Sequence, residues 1–164
     1  MDQLNKKRIL FVTNPFSGAK SKDHLRQTIE TYLDHAVFEY DIQYTEYPSH
    51  ATTIASDAAS NGLFAVIAVG GDGTINEVAK GLVHTKTALG IVPFGSGNGF
   101  SYHLGIKRDI VAAIQVLNEA HAAPIDTGSA NDHFFVNIAG LGLDATVAYK
   151  TKLNTKRGFY PYFI

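Results

Sequence analysis

Phe64-Ala-Val-Ile-Ala-Val69-Gly70-Gly71-Asp72-Gly73-Thr74-Ile75-Asn76-Glu77-Val78 is the stretch on which the fold turns. The apolar run Phe64 to Val69 predicts a buried strand, while Ile75, Val78, Ala79 and Leu82 recur at helical spacing. A strand therefore ends in a glycine turn that opens a helix. The first N–H groups of a helix lack partners, its dipole is positive there, and glycines let an anion approach the backbone closely, so the pattern points to phosphate binding. The same letters have a plainer reading, because Asp-Gly is also common in hairpin turns and glycine pairs punctuate many loops.

Working outward, strand and helix patterns alternate. Arg8 to Thr13 predicts a strand and Asn14-Pro15-Phe16-Ser17-Gly18 a loop; Leu25, Ile29, Leu33 and Ala36 mark the inward face of a helix. Val37 to Tyr44 alternates like a strand, Ala51 to Ser60 is an alanine-rich helix stopped near Gly62, and Ile75 to Val83 is the helix after the glycine turn. Ala88 to Val92 is a fourth strand, Pro93 to Gly97 a second glycine loop, and a short helical turn ends near Gly105. Asp109 then caps a helix with Ile110, Ala113, Ile114 and Leu117 facing inward. This order predicts an α/β fold, a mostly parallel sheet covered by helices, whose ligands bind at the carboxyl ends of the strands. Three loops leave those ends: 14–18, 70–74 and 94–98. After Ala120 the texture changes to turn signals at Pro124 to Gly128 and Asn131-Asp132, with a strand over His133 to Ile138 and a helix over Asp144 to Leu153. The expected division is therefore an α/β domain over 1–120 and the beginning of a second, β-rich domain over 121–164. The aromatic end Phe159 to Ile164 reads as a cut edge of that second unit.

Composition narrows the function. The 164 residues are 45% hydrophobic, enough for a sizeable core, and 14 basic against 15 acidic side chains leave a formal net charge of −1. That balance, without aromatics interleaved with basic residues, argues against nucleic acid as a partner. Absence of cysteine rules out disulfides and thiolate zinc sites, and the histidines show no metal-ligand spacing. Ile9 to Val12 is too short for a signal-peptide core and Leu63 to Val69 too short to cross a bilayer, so the expectation is a cytoplasmic protein.

Asn14-Pro-Phe-Ser-Gly18, Gly70-Gly-Asp-Gly-Thr-Ile-Asn-Glu77, Pro93-Phe-Gly-Ser-Gly-Asn98, Ile125-Asp126 and Asn137-Ile-Ala-Gly-Leu-Gly-Leu-Asp144 stand in the order found in the diacylglycerol kinase catalytic-domain family, which the chain resembles from Arg8 to Tyr162. That family includes bacterial soluble lipid kinases, sphingosine kinases and ceramide kinases. The resemblance implies a nucleotide domain like those of phosphofructokinase and NAD kinase, followed by a C-terminal β-sandwich, with a complete member roughly twice this length. It also implies an ATP-dependent lipid kinase that uses Mg²⁺, takes its lipid at the membrane surface, and leaves a homodimer open. A kinase of a soluble acceptor and a non-catalytic nucleotide-binding module are the alternatives.

By that resemblance Asn14, Pro15, Ser17, Gly18, Thr45, Gly70, Gly71, Asp72, Gly73, Thr74, Ile75, Asn76, Glu77, Gly95, Ser96 and Asn98 fall at positions that hold ATP. Asn14 and Ser17 could equally cap the helix that follows. Asp72 is the expected catalytic group, since a carboxylate among phosphates must either bind Mg²⁺ or act on the acceptor hydroxyl; the competing role is a turn aspartate capping a helix. Asp144 matches a lipid head-group contact, against the alternative of a helix cap, and Arg157 a basic residue near the phosphates. Relatives often continue Gly-Thr-x-Asn-Asp-Phe-Ala-Arg where this chain has Gly95-Ser-Gly-Asn-Gly-Phe-Ser-Tyr102, so an acid and a base are lost together.

Overall fold

A computed structural model describes residues 6–16, 24–95 and 97–153, without the side chains of 144, 148 and 151–153. Four strands, β1 (Lys7–Thr13), β2 (Phe38–Tyr44), β3 (Ala65–Gly70) and β4 (Ala88–Pro93), form one parallel sheet in the order β2-β1-β3-β4. Thr13 pairs with both Tyr44 and Val69, and Gly70 with Pro93, so all four strands end level at one edge. The α/β fold expected from the alternating pattern is the fold observed.

Strand alternation decides which helix packs where. Leu10, Val12, Val66 and Ala68 face one side and meet α2 (His50–Ser60) and α3 (Asp72–Leu82) through Ile54, Ile75 and Val78. Ile9, Phe11, Ile67 and Val69 face the other and meet α1 (Leu25–Tyr32) and α5 (Ile110–Asn118) through Leu25, Ile29, Ala113 and Ile114. Phe11 and Ile67 are almost completely buried, each stabilising the fold by about 1.5–3 kcal/mol. Tyr40 fastens β2 to α1 by donating its hydroxyl to Glu30 at 2.5 Å; burial and that carboxylate push its phenol up to about 12.

Several boundaries differ from the sequence pattern for identifiable reasons. Ala36 was expected on the first helix, yet α1 ends at Tyr32. The Asn118 amide on α5 donates to the Tyr32 carbonyl at 2.8 Å and accepts from the Asp34 N–H at 2.9 Å, while Asp34 folds its carboxylate onto the Ala36 N–H. The helix after the glycine turn starts at Asp72 rather than Ile75, with Gly71 as its N-cap and the Ile75 N–H bonded to the Gly71 carbonyl. Asp109 caps α5 as expected, accepting from the Ala112 N–H at 2.8 Å.

Beyond α5, β5 (Gly128–Ala130) and β6 (His133–Phe135) form an antiparallel hairpin whose turn residues Asn131 and Asp132 both have positive φ, the geometry a two-residue hairpin turn needs. The last strand was expected to run to Ile138 but stops at Phe135. The chain then reaches α6 (Leu143–Leu153). Phe159 to Ile164, read as a cut edge, lie outside the described residues. Among those residues no helix is long and apolar enough to cross a membrane.

Helices α2 and α3 approach to backbone distance at Gly81, where an added Cβ would lie 2.4 Å from the Thr52 carbonyl oxygen and 2.8 Å from Ala55 Cβ. An alanine in mid-helix ordinarily stabilises by about 1 kcal/mol over glycine, but here the obstacle is backbone and cannot rotate away. Gly81→Ala is expected to destabilise by about 1–3 kcal/mol, seen as a lower denaturation midpoint. A midpoint equal to or above that of the parent would show that the two helices have room to part.

Candidate functional site: two glycine turns joined at the carboxyl edge of the sheet

Loops leave β1, β3 and β4 at the level edge, and backbone hydrogen bonds tie them to one another. The Asn14 N–H bonds to the Val69 carbonyl at 3.2 Å and the Thr45 N–H to the Thr13 carbonyl at 3.0 Å. The Gly70 carbonyl accepts from both Phe94 (2.7 Å) and Gly95 (3.2 Å) N–H groups. Where these turns meet there is no room for side chains: a Cβ on Gly95 would lie 2.4 Å from the Gly71 Cα, and one on Gly71 3.0 Å from the Gly95 Cα. Gly71 thus serves the contact between the two loops. Gly73 differs, because a Cβ there would meet nothing within 4 Å among the described residues. The open face of the turn is at Gly73.

The start of α3 has no side-chain cap, because its N-cap residue is Gly71. Helix geometry leaves the N–H groups of its first turn without partners inside the helix, next to that open face. Ile75, expected among the ATP-holding residues, has nothing left to offer. Its N–H is used by Gly71 and its side chain is fully buried in the core. Thr74 is buried beside it, and its side chain fills the space above Gly70.

Asp72 occupies the first turn of α3, exposed to solvent, and its two carboxylate oxygens accept from the Gly99 and Phe100 N–H groups, each at 3.1 Å. Those amides begin α4 (Gly99–His103). The helix-capping role that competed with chemistry for this aspartate is therefore present, and it acts across 27 residues rather than within its own turn. A carboxylate offers about four acceptor sites, so the two bonds leave lone pairs for a further partner.

Asn98 is 1% exposed, with left-handed φ of 55°, and its amide donates to the Gly95 carbonyl at 2.7 Å. Among the described residues its Oδ1 has no hydrogen-bond partner. Asn76, expected at the nucleotide, is engaged elsewhere: its amide donates to the Phe134 carbonyl at 3.3 Å and accepts from the Val136 N–H at 3.2 Å. This strap draws the chain out of β6, which is why the strand ends at Phe135. Glu77 is half-buried, and its carbonyl accepts from the Thr52 hydroxyl. In the first loop Asn14 accepts from the Phe16 N–H at 2.9 Å, a local turn, and Pro15 is exposed. Ser17, Gly18, Ser96, Arg157 and the side chain of Asp144 lie outside the described residues.

A cleft of about 600 Å³ opens between the loops and the hairpin, with Asp72, Asn76 and Gly97 on one wall, Phe135, Val136 and Asn137 on another, and Phe100, Tyr102 and Ile138 completing it. Among the described residues no three His, Asp or Glu side chains gather to hold a metal. Mg²⁺ does not require such a cage, because it keeps several waters and is commonly held by one or two carboxylates together with substrate phosphates.

The family model for the diacylglycerol kinase catalytic domain matches residues 8–130, from β1 through the β5 strand. The chain belongs to the diacylglycerol kinase catalytic-domain family. It is 38% identical to a diacylglycerol kinase of Bacillus subtilis, covering 96% of this chain and 54% of that one. A diacylglycerol kinase of Staphylococcus saprophyticus is 35% identical over 97% of this chain and 53% of its own length. Among solved structures, a diacylglycerol kinase from Bacillus anthracis superposes with a TM-score of 0.67 at 29% identity, covering 80% of this chain and 48% of that one. The chain spans about half the length of the curated relatives it matches.

Two substitutions probe how this family member assembles its site. Asp72→Ala, by stripping the Gly99 and Phe100 amides of their acceptor, is expected to cost about 1–2 kcal/mol and to speed hydrogen exchange at those two amides, with Asp72→Asn intermediate. Unchanged exchange would mean that α4 does not need the carboxylate. Asn76→Ala leaves the Phe134 carbonyl and the Val136 N–H without partners and is expected to cost about 1–3 kcal/mol. Denaturant titration measures this, and a loss under about 0.5 kcal/mol would refute the strap.

Proposed function

We propose that this chain is the nucleotide-binding part of an ATP-dependent lipid kinase, transferring the γ-phosphoryl group to a lipid hydroxyl, with diacylglycerol the first acceptor to test because the relatives carry that name. In this reading residues 1–120 are the nucleotide domain, 121–164 begin a second one, and the protein reaches its lipid from the cytoplasmic membrane surface. The observation that carries it is the uncapped start of α3 beside the open face at Gly73. Amides without partners inside the helix, the positive end of that helix and free space among the described residues coincide there, which is what phosphate oxygens require.

Phosphoryl transfer asks the protein mainly for positioning and charge stabilisation. The α3 amides hold phosphate oxygens, and the bond network among Gly70, Phe94 and Gly95 keeps the two turns from separating. Mg²⁺, when bound, offsets phosphate charge. Asp72 lines the cleft and uses the lone pairs left by Gly99 and Phe100, either to take up the acceptor hydroxyl proton or to hold the metal's water. The apolar Phe100, Phe135, Val136 and Ile138 around it suit an acceptor whose hydroxyl is attached to hydrocarbon.

Calorimetry with ATP·Mg²⁺ tests the phosphate site. Gly73→Val is expected to keep the melting temperature within about 3 °C, because its Cβ meets none of the described residues, and to weaken ATP at least about tenfold by filling phosphate space. Gly71→Val should instead lower stability by pushing on Gly95. Absence of ATP binding by the parent chain, or full-strength binding by a folded Gly73→Val, would overturn the assignment. With radiolabelled ATP and mixed micelles, the chain alone should leave diacylglycerol unphosphorylated. Fused to the C-terminal half of the Bacillus subtilis relative, it should phosphorylate diacylglycerol in preference to sphingosine or ceramide.

A further inference from the structure

Beyond β2 the chain makes a short turn into α2 that places two rings in contact on the surface. The Tyr47 and His50 rings lie 4.2 Å apart between centroids and 8° from parallel. Backbone and side chain both hold the arrangement. The His50 N–H bonds to the Tyr47 carbonyl at 3.2 Å, and the imidazole Nδ1 accepts the Glu46 N–H at 3.1 Å, fixing the ring in place. Tyr47 is nevertheless 56% exposed. With one face covered by the imidazole, that exposure leaves the other face open to solvent, a flat ring already oriented before anything binds.

The position gives this ring a use. Tyr44, Thr13 and Val69 stand in one row across β2, β1 and β3, so the turn carrying Tyr47 leaves the sheet at the same level as the Gly70-Gly71 turn. Two strand spacings separate them, about 10 Å. Asn14 follows β1 between them. If phosphates sit at α3, a ribose and one phosphate bridge that distance along the row. Glu46 next to Tyr47 is exposed and acidic. Its carboxylate repels phosphate from this end of the row and suits the hydroxyl pair of a ribose.

We propose that Tyr47, backed by His50, is the stacking platform for the base of a purine nucleoside triphosphate whose phosphates occupy the start of α3. The inference rests on the ATP reading given above, and adds to it the residue that tells a nucleotide from a bare polyphosphate. Aromatic rings stack on any base face, so the platform supplies affinity and places the base without choosing strongly among bases.

The test compares ATP·Mg²⁺ with inorganic triphosphate·Mg²⁺ by calorimetry on the 164-residue chain and on Tyr47→Ala and Tyr47→Phe. The parent is expected to bind ATP at least about fivefold tighter than triphosphate, the lower end of what base stacking contributes. Tyr47→Ala should lose that advantage while binding triphosphate as the parent does, and Tyr47→Phe should keep it. In the NMR spectrum of bound ATP, the adenine H2 and H8 signals should shift upfield with the parent and with Tyr47→Phe but not with Tyr47→Ala. ATP affinity and adenine shifts unchanged in a folded Tyr47→Ala would overturn the platform and leave the phosphate site standing. A parent that binds triphosphate and ATP equally would do the same, whereas a parent that binds neither would overturn the ATP reading and the platform together.

Discussion

The close contact between Gly71 and Gly95 is the constraint on which the rest of the edge depends. Two loops from adjacent strands meet backbone to backbone, with a Cβ on Gly95 falling 2.4 Å from the Gly71 Cα. Because the Gly70 carbonyl also collects the Phe94 and Gly95 amides, the second loop is docked on the first. That docking brings the Gly99 and Phe100 amides to the Asp72 carboxylate. It also forms one wall of the cleft. Separating the loops by the width of a methyl group would strain all three arrangements at once, since close-packed surroundings tolerate little added volume.

One negative charge here serves two helix starts. Asp72 lies in the first turn of α3 and accepts from the first turn of α4, so both dipoles are positive toward the same carboxylate. The loss of an acid at the position of Gly99, relative to the pattern common in bacterial members, fits this economy. A Cβ at residue 99 would point toward Asn137 Nδ2 at 3.3 Å and Asp72 Oδ1 at 4.0 Å. A carboxylate there would face Asp72, and glycine removes that repulsion while leaving the amide free to bond.

Local pattern carried much of the fold. The continuous apolar runs of β1 and β3 read as buried strands because both faces are covered, Leu10 and Val12 packing on one helix pair and Ile9 and Phe11 on the other. The Asp109 cap and the Asn131-Asp132 turn were legible because each is decided within four residues. What escaped the sequence acts at long range. The end of α1 depends on Asn118, more than eighty positions away. The end of β6 depends on Asn76, about sixty away. The motif around Gly70 to Thr74 marked a turn at the carboxyl edge of the sheet, but not the division of labour between Gly71, whose Cβ would meet Gly95, and Gly73, whose Cβ would meet none of the described residues. The Tyr47–His50 pair carried no motif, although two rings three residues apart at a strand-to-helix turn are a signal that geometry can use.

The missing Cβ at Gly81 has a mechanical consequence. Helices that touch through backbone cannot slide by changing rotamers, so α2 and α3 form one stiff block, and the wall of the cleft that carries Asp72 belongs to it. The opposite wall, at Phe135 to Ile138, is attached through one asparagine amide and through Phe134 and Val136 resting on the core. Side-chain attachments of that kind yield where backbone contact does not. The cleft therefore has a rigid jaw and a compliant one, and any change in its width is borne by the hairpin while the Gly71–Gly95 junction keeps its shape.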